Sequence, residues 1–254
     1  MAQMRASWML ALQYRAGFVG EAFGAIFWIG WGVLPLIAVF ERRPEVAGWT
    51  ADEALIVVGF FAALQGIVEG FIDPNLRAVV ELVRQGTLDF VLLKPVDAQL
   101  LVSFHRSTPT KLPHVVTGLA LAGWASSRLP DPPGVLEVAA ALLLLLCATS
   151  ILYGLYTMVV STAFWFVRVD NLSYLLLSIL DTGRWPLSFY RGAVRFVLTF
   201  VVPIGLMTTY PALALRGQMD APGIVRVLAV AVAFFVASRL VWRIAIRRYA
   251  SASS

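Results

Sequence analysis

The chain is poor in charged residues, cysteine and histidine. Only 14% of its 254 residues are charged, whereas soluble domains carry roughly a quarter, so a soluble globular domain is excluded. The single cysteine, Cys147, lies inside a long apolar run, which excludes a disulfide framework and a cysteine-based metal site. The two histidines, His105 and His114, belong to no His-Glu-x-x-His pattern. Basic residues are scattered and form no tract, so the net charge of +5 does not indicate a nucleic acid partner.

Apolar residues dominate instead, at 59% of the chain with a mean hydropathy of +0.80. Residues 22–40, 138–167 and 196–215 contain no charge, and a membrane-spanning helix needs about 20 such residues. The pattern predicts an all-α integral membrane protein with six transmembrane helices in a single domain, residues 1–254. The six predicted spans are residues 17–40, 51–70, 109–127, 135–167, 171–186 and 225–242.

The distribution of arginine predicts the orientation. Residues 1–16 mix aromatic and basic residues and are predicted to form an interfacial helix before the first span. The tail carries Arg243, Arg247 and Arg248, so both termini are expected on the cytoplasmic side and the number of spans should be even.

An even number leaves one apolar run that does not cross. Residues 187–217 contain Pro203 and Pro211 and follow Pro186, and broken backbone is tolerated at membrane depth only inside protein or around a cavity. We therefore favour an extracellular re-entrant hairpin before the last helix. Charge alone favours the alternative, a full span, because the basic residues before the run would then be cytoplasmic.

A polar stretch, residues 73–107, separates the second and third spans. Asp73 followed by Pro74 predicts a helix start. Leu76, Val79, Val80 and Val83 would then share one face, and Arg77, Glu81 and Arg84 the other. Gly86 is suited to ending this helix, Thr87 to capping a second and Asp97 to opening a third. Such repeated capping specifies a fixed shape and indicates a docking surface; the alternative is a solvated loop with a helix resting on the headgroups.

Two sequence segments carry a family resemblance. "RQGTLDFVLLKPVDAQ" resembles the signature of one branch of the ABC-2 permeases, and "RWPLSFYRGAVRFVLTFVVPIGLMTTYPALALRG" is similar to the same branch's later segment. Trp185 stands where phenylalanine is expected before Pro186. The resemblance implies a six-helix permease of an ABC exporter with a cytoplasmic coupling region and a second contact at residues 166–171. The coupling residues it implies are Arg77, Glu81, Arg84, Gly86, Leu88, Asp89, Pro95, Arg168 and Asp170.

The chain has no phosphate-binding Gly-x-x-x-x-Gly-Lys-Ser/Thr motif, and neither Lys94 nor Lys111 follows a glycine-rich loop. No catalytic motif is present, so the chain itself is not expected to be an enzyme or to hold a cofactor. The resemblance implies that a separate dimeric ATPase subunit binds ATP and magnesium. A second permease subunit, identical or homologous, is expected to complete the path, in contact with lipid of a bacterial cytoplasmic membrane.

Two other functions are weighed against this one. A secondary transporter needs ionisable residues near the bilayer midplane, whereas Glu21 and Glu69 are expected near helix ends. A membrane-embedded hydrolase needs a nucleophile and base that the motifs do not supply. The substrate of an exporter is expected to be amphipathic, lipidic or drug-like. Its path could follow an aromatic stripe on the first span, which packing or interfacial anchoring would also explain: Phe23, Phe27, Trp28 and Trp31.

Overall fold

A computed structural model of the chain describes residues 9, 15–104, 106–165 and 170–249. The predicted interfacial helix, residues 1–16, lies almost wholly outside the described residues, as does most of the predicted contact at residues 166–171.

The described residues are predominantly helical. The α-helices are α1 Arg15–Phe40, α2 Ala51–Ile67, α3 Asp73–Arg84, α4 Asp89–Leu92, α5 Ala98–Ser103, α6 Leu112–Ser126, α7 Val135–Ser161, α8 Asp170–Asp181, α9 Gly192–Phe196, α10 Ile204–Leu215 and α11 Ala221–Ile246. Two π-helical turns cover Val68–Ile72 and Val197–Val201. Short 3-10 turns cover Pro109–Lys111, Thr162–Phe164, Thr182–Arg184 and Leu187–Phe189. Two-residue strands β1 Glu45–Val46 and β2 Trp49–Thr50 pair antiparallel.

Local sequence explains the entry into α2. Ala47 and Gly48 both adopt positive φ in the tight turn between β1 and β2. Thr50 then caps α2, because its hydroxyl accepts from the Glu53 N–H while the Glu53 carboxylate accepts from the Thr50 N–H. The second span therefore begins within a residue of its predicted start.

Four helices of the described residues are long and apolar enough to cross a membrane: Ala16–Phe40, Ala51–Arg84, Val135–Phe164 and Ala221–Ile246. These match the first, second, fourth and sixth predicted spans. The other two are shorter: α6 has 15 residues and α8 has 12, or about 22 and 18 Å of helix against a hydrocarbon core of about 30 Å. A multi-pass membrane protein is thus supported, whereas the predicted number of six spans stays a prediction.

The tightest packing joins α2 to α6. A Cβ on Gly118 would lie 2.4 Å from the Ala63 nitrogen, and a Cβ on Gly59 would lie 2.6 Å from the Gly118 oxygen. The two backbones therefore touch directly, as small residues allow in membrane helix pairs. On the other side of the bundle, α7 packs against α10 and α11. A Cβ on Gly154 of α7 would lie 2.9 Å from the Phe234 carbonyl oxygen of α11.

The bundle has two ends. At the first end, named here the hairpin end, Arg128 after α6 pairs with Asp52 at 3.3 Å, and Arg216 after α10 pairs with Glu53 at 2.6 Å. At the second, named the coupling end, residues 73–108 meet α8 and the last third of α11 through Arg77–Tyr174 and Asp97–Arg239 contacts. Each long helix runs from one end to the other.

The disputed segment, residues 187–217, is broken in the middle. Residues 192–199 and helix α10 meet at an angle of 81°, and Pro203 stands at the bend. Residues 185–191 line a cavity together with residues 35–47, beside the β-hairpin. Arg216 also reaches this hairpin, since its guanidinium donates to the Gly48 carbonyl at 3.4 Å. The residues just before and just after the two bent helices, 185–191 and Arg216, therefore both lie at the hairpin end of the bundle.

Candidate coupling surface

The polar stretch begins differently from the sequence prediction. Asp73 has helical backbone angles and follows the π-helical turn without a break, so Ala51–Arg84 forms one continuous helix. The α-helix α3 does begin at Asp73, but the predicted capping role of Asp73 was wrong. Its carboxylate does not cap the backbone and instead accepts from the Arg77 Nε at 2.8 Å.

Tertiary contacts explain why the helix continues through Pro74. Proline has no N–H to donate to the carbonyl four residues earlier, which leaves the Gly70 oxygen free. The backbone N–H of Thr108 donates to this oxygen at 2.8 Å. The buried Asn75 side chain also links the helix to residues 106–108. Its amide nitrogen donates to the Phe71 carbonyl at 2.7 Å, and its oxygen accepts from the Arg106 N–H at 2.5 Å. Residues 106–108 are thus fastened to the helix next to Gly70 and Asn75.

The amphipathic pattern of α3 is confirmed on its apolar face, where Leu76, Val79 and Val80 are buried. Its polar face makes two separate sets of contacts. Arg77 binds Asp73, and its guanidinium lies 4.7 Å above the Tyr174 ring of α8. Glu81 is exposed, accepts from the Gln85 amide and lies 3.8 Å from Arg84. The first turn of α3 therefore contacts α8, while its last turn faces outward.

Gly86 ends α3 as predicted. It has a φ of 67°, and the N–H groups of Gly86 and Thr87 donate to the Val83 and Leu82 carbonyls at 3.2 and 3.0 Å. This hydrogen-bond pattern is a Schellman motif, in which glycine supplies the left-handed residue. Leu88 follows and is fully buried, so it positions the turn from inside and has no surface to offer a partner.

Helix α4 presents apolar side chains to the outside. Thr87 was expected to cap it, but its hydroxyl is buried and makes no hydrogen bond with the described residues. Phe90 and Leu93, one turn apart, are 69% and 81% exposed. Three apolar side chains further along the chain, those of Val96, Leu100 and Phe104, are also exposed. Pro95 is exposed between the two short helices, and Asp89 lies in the first turn of α4.

Helix α5 is tied to the membrane helices. Asp97 caps it as predicted, with its carboxylate accepting from the Leu100 N–H at 3.0 Å. The same carboxylate binds both terminal nitrogens of Arg239 on α11, and this pairing lowers the pKa of Asp97 to about 2. Arg239 also donates to the Gln99 oxygen at 2.9 Å.

The network continues into α7 through Tyr153. The Gln99 amide donates to the Tyr153 hydroxyl at 3.1 Å, and the Ser103 hydroxyl lies 2.7 Å from the same oxygen. Helix α5 is thus hydrogen-bonded to two membrane helices that are far apart in sequence. Asp97 could be recognised as a cap from sequence, whereas its partner Arg239, 142 residues away, gave no signal.

The remaining predicted site residues fall elsewhere. Arg168 lies outside the described residues, and of Asp170 only the backbone at the start of α8 is described. Among the three prolines, Pro186 follows an extended residue, Trp185, after α8, Pro203 stands at the 81° bend and Pro211 is buried inside α10. Pro211 therefore does not divide the segment as expected, because a membrane helix packed against neighbours tolerates an internal proline.

The aromatic stripe lies on the outer surface of α1. Phe23, Phe27, Trp28 and Trp31 are all exposed, and the Phe27 and Trp31 rings stack at 6.5 Å. Among them, Trp28 also lines a polar cavity inside the bundle, between α1, α2, α6 and the end of α8. Sequence analysis placed ionisable residues only at helix ends and missed this cavity, which Asp181 and Arg184 also line.

Comparison with known proteins places the chain in a family. A family model described as ABC-2 family transporter protein matches residues 26–253, which is most of the chain. Searches of curated proteins and of solved structures found no significant match. The matched range contains α2, α7 and α11 in full, residues 26–40 of α1, the polar stretch and the bent segment. The chain is a multi-pass membrane permease that belongs to the ABC-2 transporter family.

Proposed function

We propose that this chain is the permease subunit of an ATP-driven exporter and that a dimeric ATPase docks on residues 85–108. Members of the ABC-2 family generally work with an ATPase subunit, and this chain has no phosphate-binding loop of its own. ATP and magnesium would be bound by that partner. This chain would supply the path and no catalytic residue.

The observation that carries the proposal is the exposed pair Phe90 and Leu93. Large apolar side chains exposed on a polar segment mark a contact with another protein or with the membrane surface. The turn that presents them is fixed by Gly86 and by the buried Leu88. Phe90 and Leu93 lie next to the charged face of α3. This arrangement of an apolar centre beside a polar rim is typical of a protein–protein interface.

Two structural connections link this surface to the membrane helices, one through a continuous helix and one through hydrogen bonds. The first is the continuous helix Ala51–Arg84. The second runs from α5 through Asp97 to Arg239 on α11 and through Gln99 to Tyr153 on α7. An ATPase that moves residues 85–108 would therefore move α2, α7 and α11 together.

A second permease subunit, identical or homologous, would complete the translocation path. Of the 18 most apolar consecutive residues of α1, and likewise of α11, only 17% are buried within the chain. Most of the surface of these two helices therefore faces lipid or another subunit. We place the protein in the bacterial cytoplasmic membrane with both termini and the coupling end in the cytoplasm. In that orientation the bent segment is a re-entrant hairpin on the outer side, and export would be its direction of transport.

The experiment is affinity purification of the full-length chain from its native membrane with identification of the copurifying proteins. A nucleotide-binding ATPase subunit is expected with the wild type. Leu93→Asp should lose it, because a carboxylate in an apolar contact costs several kcal/mol, of order 3. Leu136→Asp is the matched control, since Leu136 is equally exposed, at 81%, at the hairpin end.

Retention of the ATPase by Leu93→Asp would contradict the docking assignment. Transport that persists in vesicles lacking any ATPase, driven by an ion gradient, would favour a secondary transporter instead. The polar cavity beside α1 is the observation that keeps this second candidate in view, because such transporters use ionisable residues inside the membrane.

A further inference from the structure

A polar cavity of about 390 Å³ lies between α1, α2, α6 and the end of α8. This volume lies within the range of small-molecule sites, roughly 300–1,000 Å³. Its ionisable lining is Glu21, Glu69, Lys111, His114, Asp181 and Arg184. Charged side chains within a membrane bundle are costly and mark functional sites by default.

Lys111 organises one side of the cavity. Its ammonium group lies 3.0 Å from the Glu21 carboxylate and 3.3 Å from the Glu69 carboxylate. Glu69 also accepts from the Gln65 amide at 2.9 Å through its other oxygen. Among the described residues, the second oxygen of Glu21 has no hydrogen-bond donor. One lysine is therefore shared between two carboxylates. The second oxygen of Glu21 can still accept a hydrogen bond from a ligand.

The opposite side adds a third carboxylate. Asp181 lies 3.8 Å from the Arg184 guanidinium, too far for a hydrogen bond. Arg184 is held elsewhere, with its guanidinium 5.2 Å from the Phe61 ring centroid and its side chain 3.4 Å from the position of a Cβ on Gly32. Three carboxylates thus face two cations, and the lining carries a formal charge of −1 with His114 neutral.

Two further observations describe the hydrogen-bonding capacity and the room that the cavity offers a ligand. His114 is only 9% exposed, and its Nδ1 is buried without a partner among the described residues, which is costly unless something occupies the site. Gly24 lines the same cavity, and a Cβ built on it meets nothing within 4 Å. The space is therefore open as well as polar. No group of three acidic, histidine or cysteine side chains in the described part of the chain could hold a metal ion.

We propose that this cavity binds the ammonium group of an organic amine, with Glu21 and Asp181 accepting its N–H groups. An ammonium supplies the positive charge and the donors that the lining lacks, and the indole of Trp28 offers an apolar wall for the remainder of the molecule. The inference deepens the proposed function by naming the chemical class of the substrate. The ammonium could belong to a soluble amphiphilic amine or to the ethanolamine headgroup of a phospholipid.

Binding can be measured on the purified full-length chain in dodecyl maltoside, without any ATPase. Rhodamine 123 is the probe, because its delocalised iminium cation carries a positive charge and N–H donors as an ammonium group does. Fluorescein, an anionic xanthene of similar size, is its counterpart. Fluorescence polarisation should detect rhodamine 123 binding and no fluorescein binding. Because no ATPase takes part, this result is independent of whether the docking proposal holds.

Two variants test the site. Glu21→Gln removes one charge while Lys111 keeps Glu69, and it should weaken rhodamine 123 binding about tenfold or more, as expected for a lost charged hydrogen bond. Gly24→Leu fills the cavity and leaves every ion pair in place, so it should abolish binding. Gly20→Leu is the matched control: a Cβ there also meets nothing within 4 Å, but Gly20 does not line the cavity.

Phosphatidylethanolamine added to the micelles distinguishes the two sources. Competition with rhodamine 123 in the wild type supports the lipid headgroup, and its absence supports a soluble amine. Equal binding of fluorescein, or unchanged binding of rhodamine 123 by both Glu21→Gln and Gly24→Leu, would overturn the proposal.

Discussion

At the scale of single residues, Gly86 combines a conformational requirement with a position next to the proposed interface. Its φ of 67° closes the Schellman motif that orients Leu88 inward and Phe90 outward. A β-branched residue at this φ costs about 1–3 kcal/mol. We expect Gly86→Val to lower ATP-driven transport strongly while the amount of protein in the membrane stays unchanged, as measured by vesicle transport and quantitative immunoblotting.

The matched control at this position is Gly86→Asn, because asparagine tolerates the left-handed region better than other residues with a side chain. It should retain most of the transport. If valine and asparagine had the same effect, the backbone conformation of Gly86 would not be what matters.

The residue scale also shows where sequence reasoning reaches its limit. Gly86 and Asp97 were assigned correctly because their roles depend on neighbours within five residues. Asp73 was misassigned for the opposite reason. A hydrogen bond from Thr108, 34 positions after Pro74 in the printed sequence, satisfies the carbonyl that this proline leaves free, so the local start signal is overridden.

At the scale of elements, apolar runs predicted the long helices well. Residues 17–40, 135–167 and 225–242 correspond to α1, α7 and α11, and no helix end differs from its prediction by more than six positions. Helix α8 was less predictable, because its apolar run continues past the point where Gly183 is pressed against Ile204 and the chain extends at Trp185. Hydropathy measures how apolar a segment is, and it carries no information on where a neighbouring helix forces it to end.

The link between α5 and α11 supports a prediction about coupling. Asp97→Asn keeps an acceptor for the Leu100 N–H but removes the charge that binds Arg239. We expect less substrate moved per ATP hydrolysed, with the ATPase still bound, because α11 no longer follows α5. Reconstituted vesicles allow transport and hydrolysis to be measured together, and an unchanged ratio would contradict this role.

The direction of the pKa shift of Asp97 determines how the stability of the Asp97–Arg239 pair depends on pH. The pKa of Asp97 is lowered to about 2 by its bond to Arg239. A lowered pKa means that the contribution to stability is present above the ordinary aspartate value, about 3.9, and is lost only as the pH falls through about 2. The coupling ratio of the wild type should therefore stay constant between pH 5 and pH 8.

At the scale of the whole molecule, the arrangement of the two ends predicts which sites are accessible from outside the cell. We expect cysteines at Ala193 and Gln218 to react with an impermeant thiol reagent, and one at Lys94 to be protected, in a Cys147→Ala background. All three positions are exposed in the chain, and Cys147 is buried. Ala193 lies in α9, before the bend, and Gln218 follows α10. Their neighbours, residues 185–191 and Arg216, lie at the hairpin end.

Protection at Ala193 alone would favour a full span for the bent segment, as the charge distribution suggests. Labelling of Lys94 from outside would reverse the orientation and contradict the docking of a cytoplasmic ATPase. Permeabilised cells provide the control, since all three cysteines should react there.

The contact between Gly59 and Gly118 restricts how this molecule can change shape. Their backbones leave no room for a methyl group, so α2 and α6 cannot slide along or rotate against each other without collision. The pair must move as one body. Any opening of the polar cavity therefore has to come from displacement of α1 or of the end of α8, since these form its other walls. A crosslink between α2 and α6 should consequently leave transport intact, whereas a crosslink that fixes α1 to α2 should arrest it.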